Sequence, residues 1–205
     1  MKQDIRNSFF SPRFLFITLA IIVAAVSRLL PHPFNFTPIG AMALFGGVCF
    51  ADKRIAFIVP LLAMFISDAM LELLFGYGFH NTILYVYASF VLITFIGIYI
   101  RNNVKGTAII LASLISSILF FLVTNFGVWA SGGYVNGMTG LLSTYLLGIP
   151  FYNHELFGSF FFNTIFGDLF WCGILFGSYY FAKAKFPVMQ TKQPHLHDDE
   201  SSAGI

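Results

Sequence analysis

Long apolar runs separated by short polar or proline-rich stretches set the pattern of this chain. Residues 14–30, 55–75, 82–100, 106–130 and 157–181 each reach or approach the ~20 mostly apolar residues that cross a bilayer core. A sixth run, 36–50, is apolar but short and carries Gly40, Gly46 and Gly47. The pattern predicts an all-α membrane protein, a bundle of six transmembrane helices. Between the fifth and sixth spans, residues 140–151 are apolar but too short to cross. They predict a re-entrant or interfacial segment. Pro60 predicts a kink in the third span.

The basic residues orient these spans. Lys2, Arg6 and Arg13 precede the first; Lys53 and Arg54 separate the second and third; Arg101 and Lys105 separate the fourth and fifth; Lys183, Lys185 and Lys192 follow the last. With six alternating spans, ten of the 11 Lys and Arg residues fall on one side, and only Arg28 on the other. The positive-inside bias then puts both termini in the cytoplasm of a multi-pass protein of the bacterial inner membrane. The expected organisation is a cytoplasmic segment over 1–13, a membrane domain over 14–181 and a disordered cytoplasmic tail over 182–205. Ala25-Val26-Ser27 imitates a signal-peptide cleavage site. The apolar run before it exceeds the ~7–15 residues of such a peptide, so the first helix is read as retained.

Composition supports a hydrocarbon environment. Of 205 residues, 58% are hydrophobic and 10% charged, and 27 are Phe. Soluble domains carry about 25% charged residues. A net charge of +2, dispersed along the chain, excludes a nucleic-acid partner. Cys49 and Cys172 lie in apolar runs with neither disulfide nor metal-ligand spacing. The chain lacks a phosphate-binding Gly-x-x-x-x-Gly-Lys-Ser/Thr loop, and no cofactor is predicted.

Ionisable groups at membrane depth cost about 2.5–3.5 kcal/mol each on insertion scales, so each demands a partner or a task. Arg28, Asp68, Glu72 and Asp168 are such groups. Asp68 and Glu72, four apart, share one helix face, aimed at Arg28 or at a ligand; a structural Arg28–Glu72 pair is the plainer alternative. Tyr85, Asn125, Trp129 and Asn163 fall in the same outer half, whereas the inner halves are greasy. The connection 31–38 has three prolines and Asn35, which precludes regular helix and suggests a loop packed on the bundle. This asymmetry predicts a substrate pocket open to the outside. Its candidates are Arg28, Asn35, Asp68, Glu72, Tyr85, Asn125, Trp129, Asn163 and Asp168. Tyr85, Tyr87, Trp129 and Tyr145 also fit an interfacial aromatic belt. His32, His80 and His154 are all outside, but their spacing does not define a metal site. His195 and His197, beside Asp198, Asp199 and Glu200, read as a solvated tail.

The stretches PHPFNFTPIGAMALFGG (31–47), TNFGVW (124–129) and GIPF (148–151) resemble an uncharacterised bacterial membrane family of transport proteins. More distantly, the six-helix layout resembles the substrate-binding S components of energy-coupling-factor transporters. That resemblance implies a vitamin or metal held near the outer surface under loops. It also implies a transmembrane coupling subunit with ATPases, docked on an Ala-x-x-x-Ala stripe that Ala20 and Ala24 match.

The expected function is therefore a non-enzymatic, membrane-embedded subunit for uptake of a small water-soluble micronutrient. Its partners would be that solute, the lipid bilayer and a coupling subunit. A solitary or proton-coupled carrier using Asp68 or Asp168 is the alternative. An intramembrane aspartyl enzyme fits less well, since Ile165 replaces the first Gly of the Gly-x-Gly-Asp motif before Asp168.

Overall fold

The computed structural model describes residues 11–133, 137–149 and 159–190, and its regular structure is entirely helical. Among these residues the helices are α1 (Pro12–Ser27), α2 (Ile39–Cys49), α3 (Lys53–Phe75), α4 (Ile83–Ile100), α5 (Gly106–Ala130), α6 (Met138–Gly148) and α7 (Phe160–Lys185). A 3₁₀ turn, Pro187–Gln190, closes the described chain. Four helices, α3, α4, α5 and α7, are long and apolar enough to cross a membrane. Their apolar windows are only 22–39% buried inside the protein, and large side chains such as Leu73, Leu84 and Tyr99 lie open. Water would not tolerate so much exposed hydrocarbon; lipid does.

Local chemistry sets the helix ends. Ser11 caps α1 by accepting from Phe14 N–H at 3.2 Å, with Pro12 in the first turn, where its missing N–H is harmless. Asp52 caps α3, accepting from Arg54 N–H at 2.7 Å. Gly76, at φ 74°, ends α3 in the left-handed conformation that glycine adopts without a Cβ penalty. Helix α3 continues through Pro60, which is buried beside Gly46 of α2.

The short α2 is the centre of the bundle. Each of its residues from Ile39 to Cys49 is buried, and it packs on α1, α3, α4, α5 and α7. Glycine makes this possible: a Cβ on Gly47 would strike the Thr94 carbonyl and Gly97 Cα of α4, and one on Gly97 would strike the Leu44 carbonyl of α2. At one end, Arg13 donates to the Cys49 carbonyl at 3.0 Å and Arg101 to the Ala51 carbonyl at 3.2 Å. These bonds satisfy carbonyls at and just beyond the C-terminus of α2 that have no helical partner.

Two sequence expectations are corrected. The last helix extends to Lys185, and Met189 in the following turn is buried, so the chain stays ordered past 182, where a disordered tail was expected to begin. Helix α1 ends at Ser27, which leaves residues 28–30 in a turn and Arg28 as its C-cap. The segment expected to be re-entrant or interfacial contains α6, packed on α5; residues 150 and 151 lie outside the described part. Also outside it are residues 1–10, His154, Glu155, His195, His197 and the acidic run 198–200.

Candidate functional site

The site begins with a buried ion pair. Arg28 Nη2 lies 2.6 Å from Asp68 Oδ1, with side chains only 9% and 3% exposed. Burial this deep makes each charge depend on the other, because neither has bulk water to fall back on. The surroundings complete the set: Arg28 Nη1 donates to Ser67 Oγ, and Tyr87 Oη donates to Asp68 Oδ2 at 2.8 Å. The Ser67 hydroxyl in turn donates a hydrogen bond to the Met64 carbonyl at 2.8 Å. One nitrogen of the guanidinium has no partner: Arg28 Nε is buried without an acceptor. The carboxylate that pairs with Arg28 is thus Asp68, not Glu72.

Glu72, one turn further along α3, is committed elsewhere. Its Oε2 accepts from Phe79 N–H at 3.0 Å, which folds the 76–82 turn back over the end of α3. Gly78 lets that turn seat closely, because a Cβ there would strike the Asp68 carbonyl and Glu72 N. The turn carries His80 to the rim of the site.

Beside the ion pair lies a hollow of about 590 Å³. Arg28 and Asp68 form part of its polar wall, with His32, Asn35, Tyr77 and His80. Its apolar wall includes Leu29, Phe34, Ile39, Met64, Leu71 and Phe75. A second hollow, about 330 Å³, is lined by Thr82, Thr124, Asn125, Thr144 and Gly148 among others. The two share Asn35, His80, Val86 and Phe120 as lining residues. Both open at the end of the bundle away from Arg13, Lys53, Arg54, Arg101 and Lys183. Volumes of this order suit a small organic solute.

The 31–38 loop that walls the larger hollow is fixed by α7. Asn163 Nδ2 donates to the Phe34 carbonyl at 2.8 Å, and Gly167 lies under the Phe36 and Thr37 backbone. Asp168, 2% exposed, accepts from the backbone N–H groups of Gly40 and Ala41 and from Ser117 Oγ at 2.7 Å. A carboxylate on the first N–H groups of α2 satisfies orphan donors and complements the helix dipole. Pro38, the N-cap of α2, has no side-chain donor or acceptor for this task. Asn163 and Asp168 therefore hold the wall and do not line the hollow.

The other sequence candidates divide. Asn35 and Asn125 line the hollows; Asn125 Nδ2 also donates to the Phe121 carbonyl at 2.8 Å. Tyr85 lines neither, since its ring lies against Gly127 and Phe126. Trp129 also lies apart, donating to the Gly137 carbonyl at 3.2 Å and packing on Phe126. Tyr145 donates to the Leu122 carbonyl at 2.9 Å, tying α6 to α5. Ala24 is buried in the bundle, while Ala20 is half-buried against the core. Among the described residues, no group of three or more His, Cys, Asp and Glu side chains is arranged to hold a metal.

Sequence reasoning did not single out Ser67 or Tyr77; it noted Tyr87 among the outer aromatics and His80 among the outer histidines without placing either in the pocket set. Ser67 had a signal in its adjacency to Asp68. Tyr87 had none beyond its aromatic type, because its partner lies on another helix.

No curated protein and no solved structure matches the chain. A family model does, over residues 9–189, and its description is "Family of unknown function (DUF6580)". That match takes in every helix that forms or braces the hollows, and the chain accordingly belongs to this family.

Proposed function

We propose that this chain is a membrane-embedded solute-binding subunit for uptake of a small water-soluble micronutrient. The observation that carries the reading is the hollow of about 590 Å³ with a buried, hydrogen-bonded ion pair on its wall. Charge at membrane depth is costly, and a polar cavity is its usual reason. In this reading α1–α5 and α7 are six spans of the bacterial inner membrane, with both termini in the cytoplasm and the hollows facing outward. The distribution of Lys and Arg supports that orientation.

Energy would come from a separate coupling subunit with ATPases, as in the energy-coupling-factor transporters that the layout resembles. The surface of α1 left open to such a partner is Leu15, Leu19, Ile22 and Val23, with Ala20 at its edge. A carrier using Asp68 or Asp168 as a proton relay has less support, because Asp168 is enclosed by donors off the hollow's wall and both oxygens of Asp68 are engaged, by Arg28 and Tyr87.

The test is retention of small molecules by the full chain purified from its native membrane into nanodiscs, identified by mass spectrometry. Asn35→Ala and His80→Ala, which alter the shared lining without touching the ion pair, should each lower retention. Equal retention by the wild type and both variants would remove the hollow as the binding site.

A further inference from the structure

Every polar atom on the wall of the larger hollow can be asked what it still lacks. Among the described residues Asp68 is its one carboxylate, and both oxygens are engaged: Oδ1 by Arg28 at 2.6 Å and Oδ2 by Tyr87 at 2.8 Å. Glu72 is absent from the lining and already accepts from Phe79 N–H. Among the described residues a cationic solute would thus find no free counter-charge, at a depth where an unpaired charge is costly.

The donors tell the opposite story. Among the described residues' buried polar atoms that lack a partner, only Arg28 Nε belongs to a residue lining this hollow. It is the third donor face of a guanidinium whose two terminal nitrogens are engaged. His32 Nδ1 lies 2.9 Å from the Pro33 carbonyl, which can only accept, so its Nδ1–H is spent there; the His80 imidazole stands at the rim beside it. Arg28 and Asp68 cancel, so the described lining carries no net negative charge that would repel an anion.

We infer that the hollow selects solutes with an apolar body and an anionic head such as a carboxylate, with the Arg28 guanidinium, whose Nε lacks an acceptor, and the His80 imidazole meeting the head. The apolar wall of Leu29, Phe34, Ile39, Met64 and Phe75 meets the body. This inference rests on the hollow being a binding site, as proposed above, and adds the charge class of its ligand.

Benzoate, benzamide and benzamidine share a ring and differ in head charge. Binding of each to the full chain in nanodiscs at neutral pH, followed by saturation-transfer NMR and calorimetry, tests the assignment. Benzoate should bind about ten-fold or more tighter than benzamidine and also tighter than benzamide, the gain of one charge-assisted hydrogen bond. The double variant R28Q/D68N replaces the ion pair with neutral groups of similar shape, and its benzoate affinity should fall to that of benzamide. If that variant fails to fold, H80Q should still reduce the preference for benzoate. Benzamidine equal to or tighter than benzoate overturns the anionic assignment while leaving a binding site. Binding by none of the three at millimolar concentration overturns the reading of the hollow as a site, and this inference with it.

Discussion

Asn163 Nδ2 donates to the Phe34 carbonyl at 2.8 Å across 129 positions of sequence, and so anchors one wall of the hollow to the last long helix. The wall is a proline-rich loop with no ladder of its own, and Asn35 within it takes a positive φ of 61°. Its shape is therefore imposed from α7. Asn163→Leu should free the Phe34 carbonyl, lower stability by about 1 kcal/mol and speed hydrogen exchange over 34–37. Unchanged exchange there would mean that the loop holds its own form.

Asp168 performs the same service one turn later, at the N-terminus of α2. Asp168→Asn keeps the shape but removes the negative charge and leaves one acceptor oxygen where two served the Gly40 and Ala41 N–H groups and Ser117. The expected loss is about 1–2 kcal/mol, measured by thermal unfolding in nanodiscs, with Gly40 and Ala41 amides exchanging faster. Ser117→Ala removes only one of the donors to Asp168 and should cost less.

The Arg28–Asp68 pair predicts a non-additive mutant cycle. Removing either partner alone strands a buried charge and should cost about 3–5 kcal/mol. Removing both, as in R28M/D68L, should cost far less than the sum of the single changes. Additive losses would show that the two groups act independently, contrary to their 2.6 Å separation.

Close approach of α2 and α4 depends on Gly47 and Gly97. Gly97→Val would drive side-chain atoms into the Leu44 carbonyl, so the helices must part. Overpacking of this kind should cost about 1–3 kcal/mol. Gly173, with open space around its Cβ position, provides the control: Gly173→Ala should be neutral or slightly stabilising.

Orientation can be read chemically. Single cysteines at Lys53 and Asn81, both exposed and at opposite ends of α3 and its following turn, should be labelled by an impermeant thiol reagent from opposite faces of the membrane. In intact cells Asn81→Cys should react and Lys53→Cys should not. The reverse pattern would invert the proposed topology.

Much of this architecture was legible in the chain itself. Hydrocarbon demands long uninterrupted apolar helices, so the run 106–130 gives α5 to the residue, and the four long helices follow from the same periodless hydrophobicity. The glycines of 36–50 marked a special helix, and the prolines of 31–38 marked an irregular wall. The ionisable residues at depth were visible too, because such residues stand out against an apolar background. Their partners were not. Helix geometry places Asp68 and Glu72 on one face, yet only the crossing of α1, α3 and α4 joins Asp68 to Arg28 and Tyr87, while the 76–82 turn takes Glu72. Likewise Asn163 and Asp168 looked like pocket residues by depth, and packing made them anchors for a loop and a helix end. Trp129 and Tyr85 share that depth but bond and pack away from the hollows. Hydropathy fixes how far a residue sits along the membrane normal, since that is a property of one segment in one solvent. Which neighbour it meets depends on how helices rotate and cross, and close packing among many segments decides that.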